Sequence, residues 1–178
     1  MPADAITDAL AAERPLTRGL GPARGASTVD AASISRLRAM DDAGADALKA
    51  EDVSASHDLL SGIALRSVDV PVMFEFGSAE PTDTGVAQLN ALGTALTSDR
   101  LAGASFILVG HTDAVGSDQA NRRLSKQRAD AVRRYLVENF HIGGDRLVAL
   151  GFGETRANKA ENPSAADNRR VEVRAWIP

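Results

Sequence analysis

An apolar run over residues 105–110 passes through Gly110, His111, Thr112 and Asp113 into a helix-forming segment at about residues 119–139. A strand followed closely by an amphipathic helix must fold back on itself, because both apolar faces need the same cover. At about 100° per residue, Leu124, Ala131, Val132, Tyr135 and Leu136 share one side of that helix. Arg128 falls in the middle of this stripe. A guanidinium facing a core keeps its charge, so it requires a carboxylate or a ligand anion to offset lost hydration. Asp113, at the strand end, is the nearest candidate by topology.

The flanking sequence extends the pattern. Val68, Val70, Val72, Phe74 and Phe76 alternate with Ser67, Asp69 and Pro71 at period two and predict a strand beginning near Leu65, closed by Gly77 to Pro81. Thr82 or Thr84 is placed to cap a helix carrying Val86, Leu89, Leu92 and Leu96 on one side. Gly143 and Gly144 are expected to end the second helix. A third strand then spans Arg146 to Leu150, and a last one alternates Val171, Val173, Ala175 and Ile177 with Glu172, Arg174 and Trp176. The order β-α-β-α-β-β implies an α+β, two-layer sandwich with helices packed on a mixed sheet.

The N-terminal third reads differently. Residues 1 to about 27 mix Arg14, Pro15, Gly19, Gly21, Pro22 and Gly25 with small residues, as in a flexible Ala/Gly/Pro-containing linker. Ile34, Leu37 and Met40 have near-helical spacing, so a short marginal helix and a disordered tether both remain open there. Residues 1–64 are therefore expected to be a tether and residues 65–178 a domain. Charge divides the same way: residues 1–70 carry 7 Lys+Arg against 11 Asp+Glu, whereas residues 71–178 carry 13 against 13. A neutral domain argues against nucleic acid as its partner. With no cysteine, disulfides, thiol catalysis and thiolate metal sites are excluded. No run reaches the roughly 18–20 apolar residues of a membrane span. The start lacks the pattern of a secretory signal, leaving either a cytosolic protein or a chain that begins after a removed targeting segment.

Asp113 and Arg128 can meet at one rim of this fold. They suit either a structural ion pair or a ligand bearing both an ammonium and a carboxylate, since arginine offers a planar fork to carboxylates and aspartate accepts from ammonium. Asn121 lies near Arg128 on the wheel, and Thr112 adds a hydroxyl beside Asp113. His111 and Asp113 have the spacing of a metal pair, but His57 and His141 do not complete it, and no metal or cofactor is expected. Glu154 reads as a turn cap rather than half of a hydrolytic carboxylate pair. Arg122, Arg123, Lys126, Arg133 and Arg134 read first as a solvated basic face and second as an attraction for anionic glycans or lipid phosphates.

Several ordered motifs carry a resemblance. Gly110, His111, Thr112 and Asp113, then Gly116, Asn121, Leu124, Ser125, Arg128 and Ala129, then Gly151, Phe152, Gly153 and Glu154, and finally Asn168, Arg169, Arg170, Val171 and Glu172 resemble the OmpA-like peptidoglycan-binding domain, over residues 70–177. The resemblance implies a non-enzymatic protein of the Gram-negative envelope. It would be periplasmic and associated with the outer membrane through a segment absent from this chain. The implied partner is the diaminopimelate of the peptidoglycan stem peptide, held by Asp113 and Arg128, with Thr112, Asn121, Gly77 and Val171 lining the pocket. Arg169 and Arg170 begin the last strand, and one of them is expected to make a supporting ion pair. Two departures bear on the rim: members often carry aspartate where Gly77 stands, and a Gly-Arg pair where this chain has Asn162 to Asp167. The alternative is an envelope interaction or assembly scaffold that retains the fold and uses its basic helix face.

Overall fold

A computed structural model describes residues 1–11, 31–47, 49–61, 65–113, 115–154 and 170–176. In chain order these residues form α1 (Ala3–Ala11), α2 (Ala31–Asp42), α3 (Ala50–Ser61), β1 (Arg66–Val70), α4 (Asp83–Leu96), β2 (Ser105–Gly110), α5 (Asp118–Phe140), β3 (Leu147–Gly151) and β4 (Val171–Trp176). From residue 66 onward the order is the expected β-α-β-α-β-β. The strands lie side by side as β1-β4-β2-β3, with β2 parallel to β3 and antiparallel to β4, and β1 antiparallel to β4. The α+β class with helices on a mixed sheet is the one the chain adopts.

Strand alternation sorts the core into two layers of contact. Phe106 and Leu108 of β2, with Val171, Val173 and Ala175 of β4, face Leu89, Leu92, Leu96, Val132 and Leu136 of α4 and α5. Ile107 and Val109 point the other way and pack with Val148, Leu150, Phe152 and Trp176. That second face is where the N-terminal third departs from a free tether. Leu37 of α2 and Val53 and Leu60 of α3 are buried on it, while Ile6 and Leu10 of α1 enter the first core. Full burial of each such side chain contributes about 1.5–3 kcal/mol, which opposes the entropy of holding the helices. Residues 12–30, which include most of the linker-like stretch at 1 to about 27, lie outside the described residues, as do Arg169 and Ile177.

One buried carboxylate joins α2 to the rest. Asp41 accepts from Lys126 Nζ at 2.9 Å, from Arg133 Nη1, and from the backbone N–H of Ala149 at 3.1 Å. It thus covers part of the outer edge of β3, a strand edge that would otherwise present an open N–H. Asp130 is a second partner of Lys126, and Asp46 pairs with Arg123 at 2.9 Å. The basic face expected to be solvated is therefore partly occupied, and Lys126 is only 1% exposed.

Two glycines decide how α5 sits. Gly110 and Gly151 are register partners on β2 and β3. A Cβ on Gly110 would overlap the Ser125 carbonyl oxygen, and one on Gly151 would overlap the Lys126 backbone. Backbone meets backbone there, as only glycine permits. The helix is consequently turned so that Asn121, Ser125, Lys126, Arg128, Ala129, Val132 and Leu136 are buried. Leu124 and Tyr135, expected to share the apolar stripe, stand at its margin, half-buried.

Ends and turns follow local chemistry with two exceptions. Thr82 caps α4 through Gly85 N–H at 3.1 Å, and Ser117 caps α5 through Ala120 N–H at 3.3 Å. The C-cap of α5 is His141 in the left-handed region at φ 54°, ahead of the expected Gly143 and Gly144. Strand β1 stops at Val70, before Pro71, which cannot donate to a ladder. Beyond it, Phe74 only bridges Pro81, and Phe76, expected on the buried face, is fully exposed.

Candidate functional site

The site lies where β2 ends and α5 begins. Its floor is tied by backbone bonds between adjacent strand ends: Phe152 N–H donates to Gly110 O at 3.0 Å, Thr112 N–H to Gly153 O at 2.9 Å, and His111 N–H to Arg170 O at 3.0 Å. Ser125 of α5 joins them, its hydroxyl accepting from Gly153 N–H at 2.8 Å. These bonds hold residues 111–113 against the helix before any ligand is considered. Preorganisation of this kind lowers the entropic cost of binding.

Above this floor is a cavity of about 470 Å³ lined by Phe74, Glu75, Phe76, Gly77, Thr112, Asp113, Val115, Asn121, Leu124 and Arg128. Five of the six residues expected to hold ligand, Gly77, Thr112, Asp113, Asn121 and Arg128, are thus brought together. Val171 is not among the lining residues; it alternates onto the apolar face of β4, fully buried in the core. Arg170 forms an ion pair with Asp69 at 3.1 Å.

The charged groups are individually set. Arg128, only 4% exposed, donates from Nε to Ser78 O at 3.0 Å and lies with Cζ 5.0 Å from the centroid of the Phe74 ring. A hydrogen bond on one edge and an aromatic ring beside the plane orient the guanidinium. Asp113 Oδ1 accepts from Val115 N–H at 3.3 Å, which fixes the carboxylate at the cavity wall. Asn121 donates from Nδ2 to Glu154 Oε2 at 2.9 Å, so Glu154 orients the amide. The Thr112 hydroxyl is buried with no hydrogen-bond partner among the described residues, an arrangement that costs stability until something supplies one.

Behind the floor is a second polar cluster that sequence reasoning did not assemble. His111 Nε2 faces Glu172 Oε2 at 3.4 Å, Glu172 Oε1 accepts from Arg174 Nε at 2.9 Å, and Arg174 Nη1 donates to Leu60 O of α3 at 3.0 Å. Burial lowers the His111 pKa, and the Arg170 charge acts the same way, against the opposing Glu172 contact. Burial alone would raise the Glu172 carboxyl, but the His111 hydrogen bond and the Arg174 charge outweigh it and bring it to about 2. His111 therefore engages Glu172, while Asp113 lines the cavity. Among the described residues there is no group of three or more His, Asp or Glu arranged to hold a metal ion. Phe74 and Ser78 were also missed as site residues. Phe74 read as one more apolar strand position, and a backbone carbonyl leaves no signature in sequence.

Fold and site together define a small α+β module with a preformed charged cavity at its strand ends. The OmpA family model matches residues 73–171, more than half of the chain, and the chain belongs to the OmpA family. It is 36% identical over 108 residues to outer membrane porin F of Pseudomonas aeruginosa, covering 60% of this chain and 30% of that protein. With outer membrane protein A of Serratia marcescens it shares 38% over 115 residues, covering 57% and 32%. The chain thus spans about a third of the length of these curated relatives. Among solved structures, a putative MotB-like protein from Desulfovibrio vulgaris superposes with a TM-score of 0.50 at 27% identity, covering 63% of this chain and 74% of that one. The OmpA-like domain of FopA1 from Francisella tularensis gives 0.52 at 20% identity, covering 61% and 70%, and speaks for the fold.

Proposed function

We propose that this protein binds cell-wall peptidoglycan without chemistry on it, gripping the zwitterionic end of diaminopimelate in the stem peptide. The observation that carries the reading is the placement of Asp113 and Arg128 on one 470 Å³ cavity, with the Thr112 hydroxyl and the Asn121 amide on its wall. Arg128 would take the carboxylate and Asp113 the ammonium, each by a charge-assisted bond. Membership of the OmpA family supports a wall-binding module on the periplasmic side of the outer membrane. The ligand-binding part would comprise residues 65–178, with the preceding helices as its cover.

Calorimetric titration of the full chain with a diaminopimelate-containing stem peptide, against the lysine-containing peptide, tests this. Selective binding is expected, and Asp113→Ala should abolish it in a protein that still melts cooperatively. Retained binding by folded Asp113→Ala would overturn the assignment.

An envelope interaction scaffold is the second reading, favoured by the exposure of Phe76 and Val115 at the cavity mouth. Its original basis, the basic face of α5, is weakened because Lys126 and Arg133 pair with Asp41 and Arg123 with Asp46. Binding of neither peptide by a folded chain would favour it.

A further inference from the structure

The cavity is not closed on all sides. A groove of about 610 Å³ adjoins it, and Gly77, Val115, Asn121 and Leu124 belong to the walls of both. Beyond these shared residues the groove is formed by Gln119, Arg123 and Gln127 on the adjoining side of α5 and by Asp46 from residues 43–47, the link that follows α2. Asp46 stands outside the 73–171 family match. A wall of this groove is therefore contributed by a segment that precedes the matched domain.

We propose that this groove is a second subsite, which takes the carboxylate of the residue adjoining the diamino acid, with Arg123 as the group that recognises it. The inference rests on the peptidoglycan reading above. Its chemistry follows from three features. Arg123 is bonded along its Nε side, at 2.9 Å to Asp46 Oδ1. That contact holds the guanidinium while its two terminal nitrogens remain available as a fork for a carboxylate. Gln119 and Gln127 flank it with amides that pair equally well with peptide N–H and C=O groups. Asp46, finally, is positioned by the buried Asp41 five residues earlier, whose bonds to Lys126, Arg133 and Ala149 anchor the end of α2 on the domain. The N-terminal segment thus adds a specificity element to a pocket that the domain supplies.

Three probes separate the possibilities in titrations of the full chain: free meso-diaminopimelate, γ-D-glutamyl-meso-diaminopimelate, and the same dipeptide with its glutamyl α-carboxylate amidated. The acidic dipeptide should bind about fivefold more tightly than the amidated one, the scale of a solvent-exposed ion pair. Arg123→Gln should abolish that preference while leaving affinity for free diaminopimelate unchanged. Arg123 is exposed, and a thermal melt of the variant verifies that its fold is intact. Equal affinity of the two dipeptides for the unaltered chain would overturn the subsite and leave the diaminopimelate reading standing. A preference that survives in Arg123→Gln would overturn the role of Arg123, and failure of all three probes to bind would remove both proposals.

Discussion

Lys126 and Arg128 stand two residues apart on α5, both nearly inaccessible to solvent, but only Arg128 lines the cavity that holds Asp113. Lys126 is met by carboxylates of the protein itself, Asp41 from α2 and Asp130 one turn along the helix. Arg128 donates to the Ser78 carbonyl, lies beside the Phe74 ring and lines a cavity together with Asp113. A buried cation closed off by acids holds two parts of a fold together. One that borders open volume is suited to meet a charge arriving from outside.

The contrast breaks first at Asp41. Asp41→Ala would leave Lys126 with Asp130 alone and the Ala149 N–H without its acceptor, so a loss of roughly 3–5 kcal/mol is expected, measured by denaturant unfolding. Replacing Lys126 by Met in the same background should recover part of it, because the buried ammonium that lost a partner is gone while the Ala149 N–H stays without its acceptor. If Asp41→Ala alone unfolds like the unaltered chain, α2 is not anchored as described.

Acid probes the cluster behind the cavity floor. The folded Glu172 carboxyl lies near 2 rather than 4.5, so its contribution is present above the unfolded value and is lost as pH falls from about 4.5 toward 2. The full contribution is on the order of 3 kcal/mol at 1.36 kcal/mol per pKa unit. His111 acts in the same direction: its pKa is lowered in the folded protein, so below about 6.5 the unfolded chain takes up the proton more readily. Stability should therefore fall steadily on acidification below 6.5, and Glu172→Gln should flatten the lower part of that curve. Unfolding free energies measured between pH 7 and 3 would decide it.

The smallest effect is expected at the rim. Gly77 has φ +63° and nothing within 4 Å of the position a Cβ would take. Aspartate tolerates that backbone region better than most residues. Gly77→Asp should therefore fold with a stability change of about 1 kcal/mol or less. It should tighten binding of an ammonium-bearing ligand a few-fold by adding a second acid beside Asp113, measured by the same titration. Unchanged or weaker binding would place the ammonium away from Gly77.

Much of the domain was legible because its signals are local. Strand alternation in residues 66–70 and 171–176, the threonine cap at Thr82, and the amphipathic run of α5 each depend on neighbours a few residues away. That Asp113 and Arg128 would reach one rim was legible too, since a strand, a short loop and a returning helix leave little choice. The covering of the second sheet face was not. Val53 and Leu60, or Ile6 and Leu10, are sparse apolar residues in short helices, and nothing nearby shows that a sheet face with Ile107, Val109 and Phe152 awaits some of them.

From residue 66 onward the sequence by itself determined the order of elements, the helix starts and the identities of the charges at the cavity. Tertiary structure alone decided the rotation of α5, because that depends on Gly110 and Gly151 letting two backbones touch. The same contact turned Lys126 toward Asp41 and set Arg128 beside Phe74. Each of these depends on which surfaces meet across tens of residues, and helical or strand periodicity carries no information about that meeting.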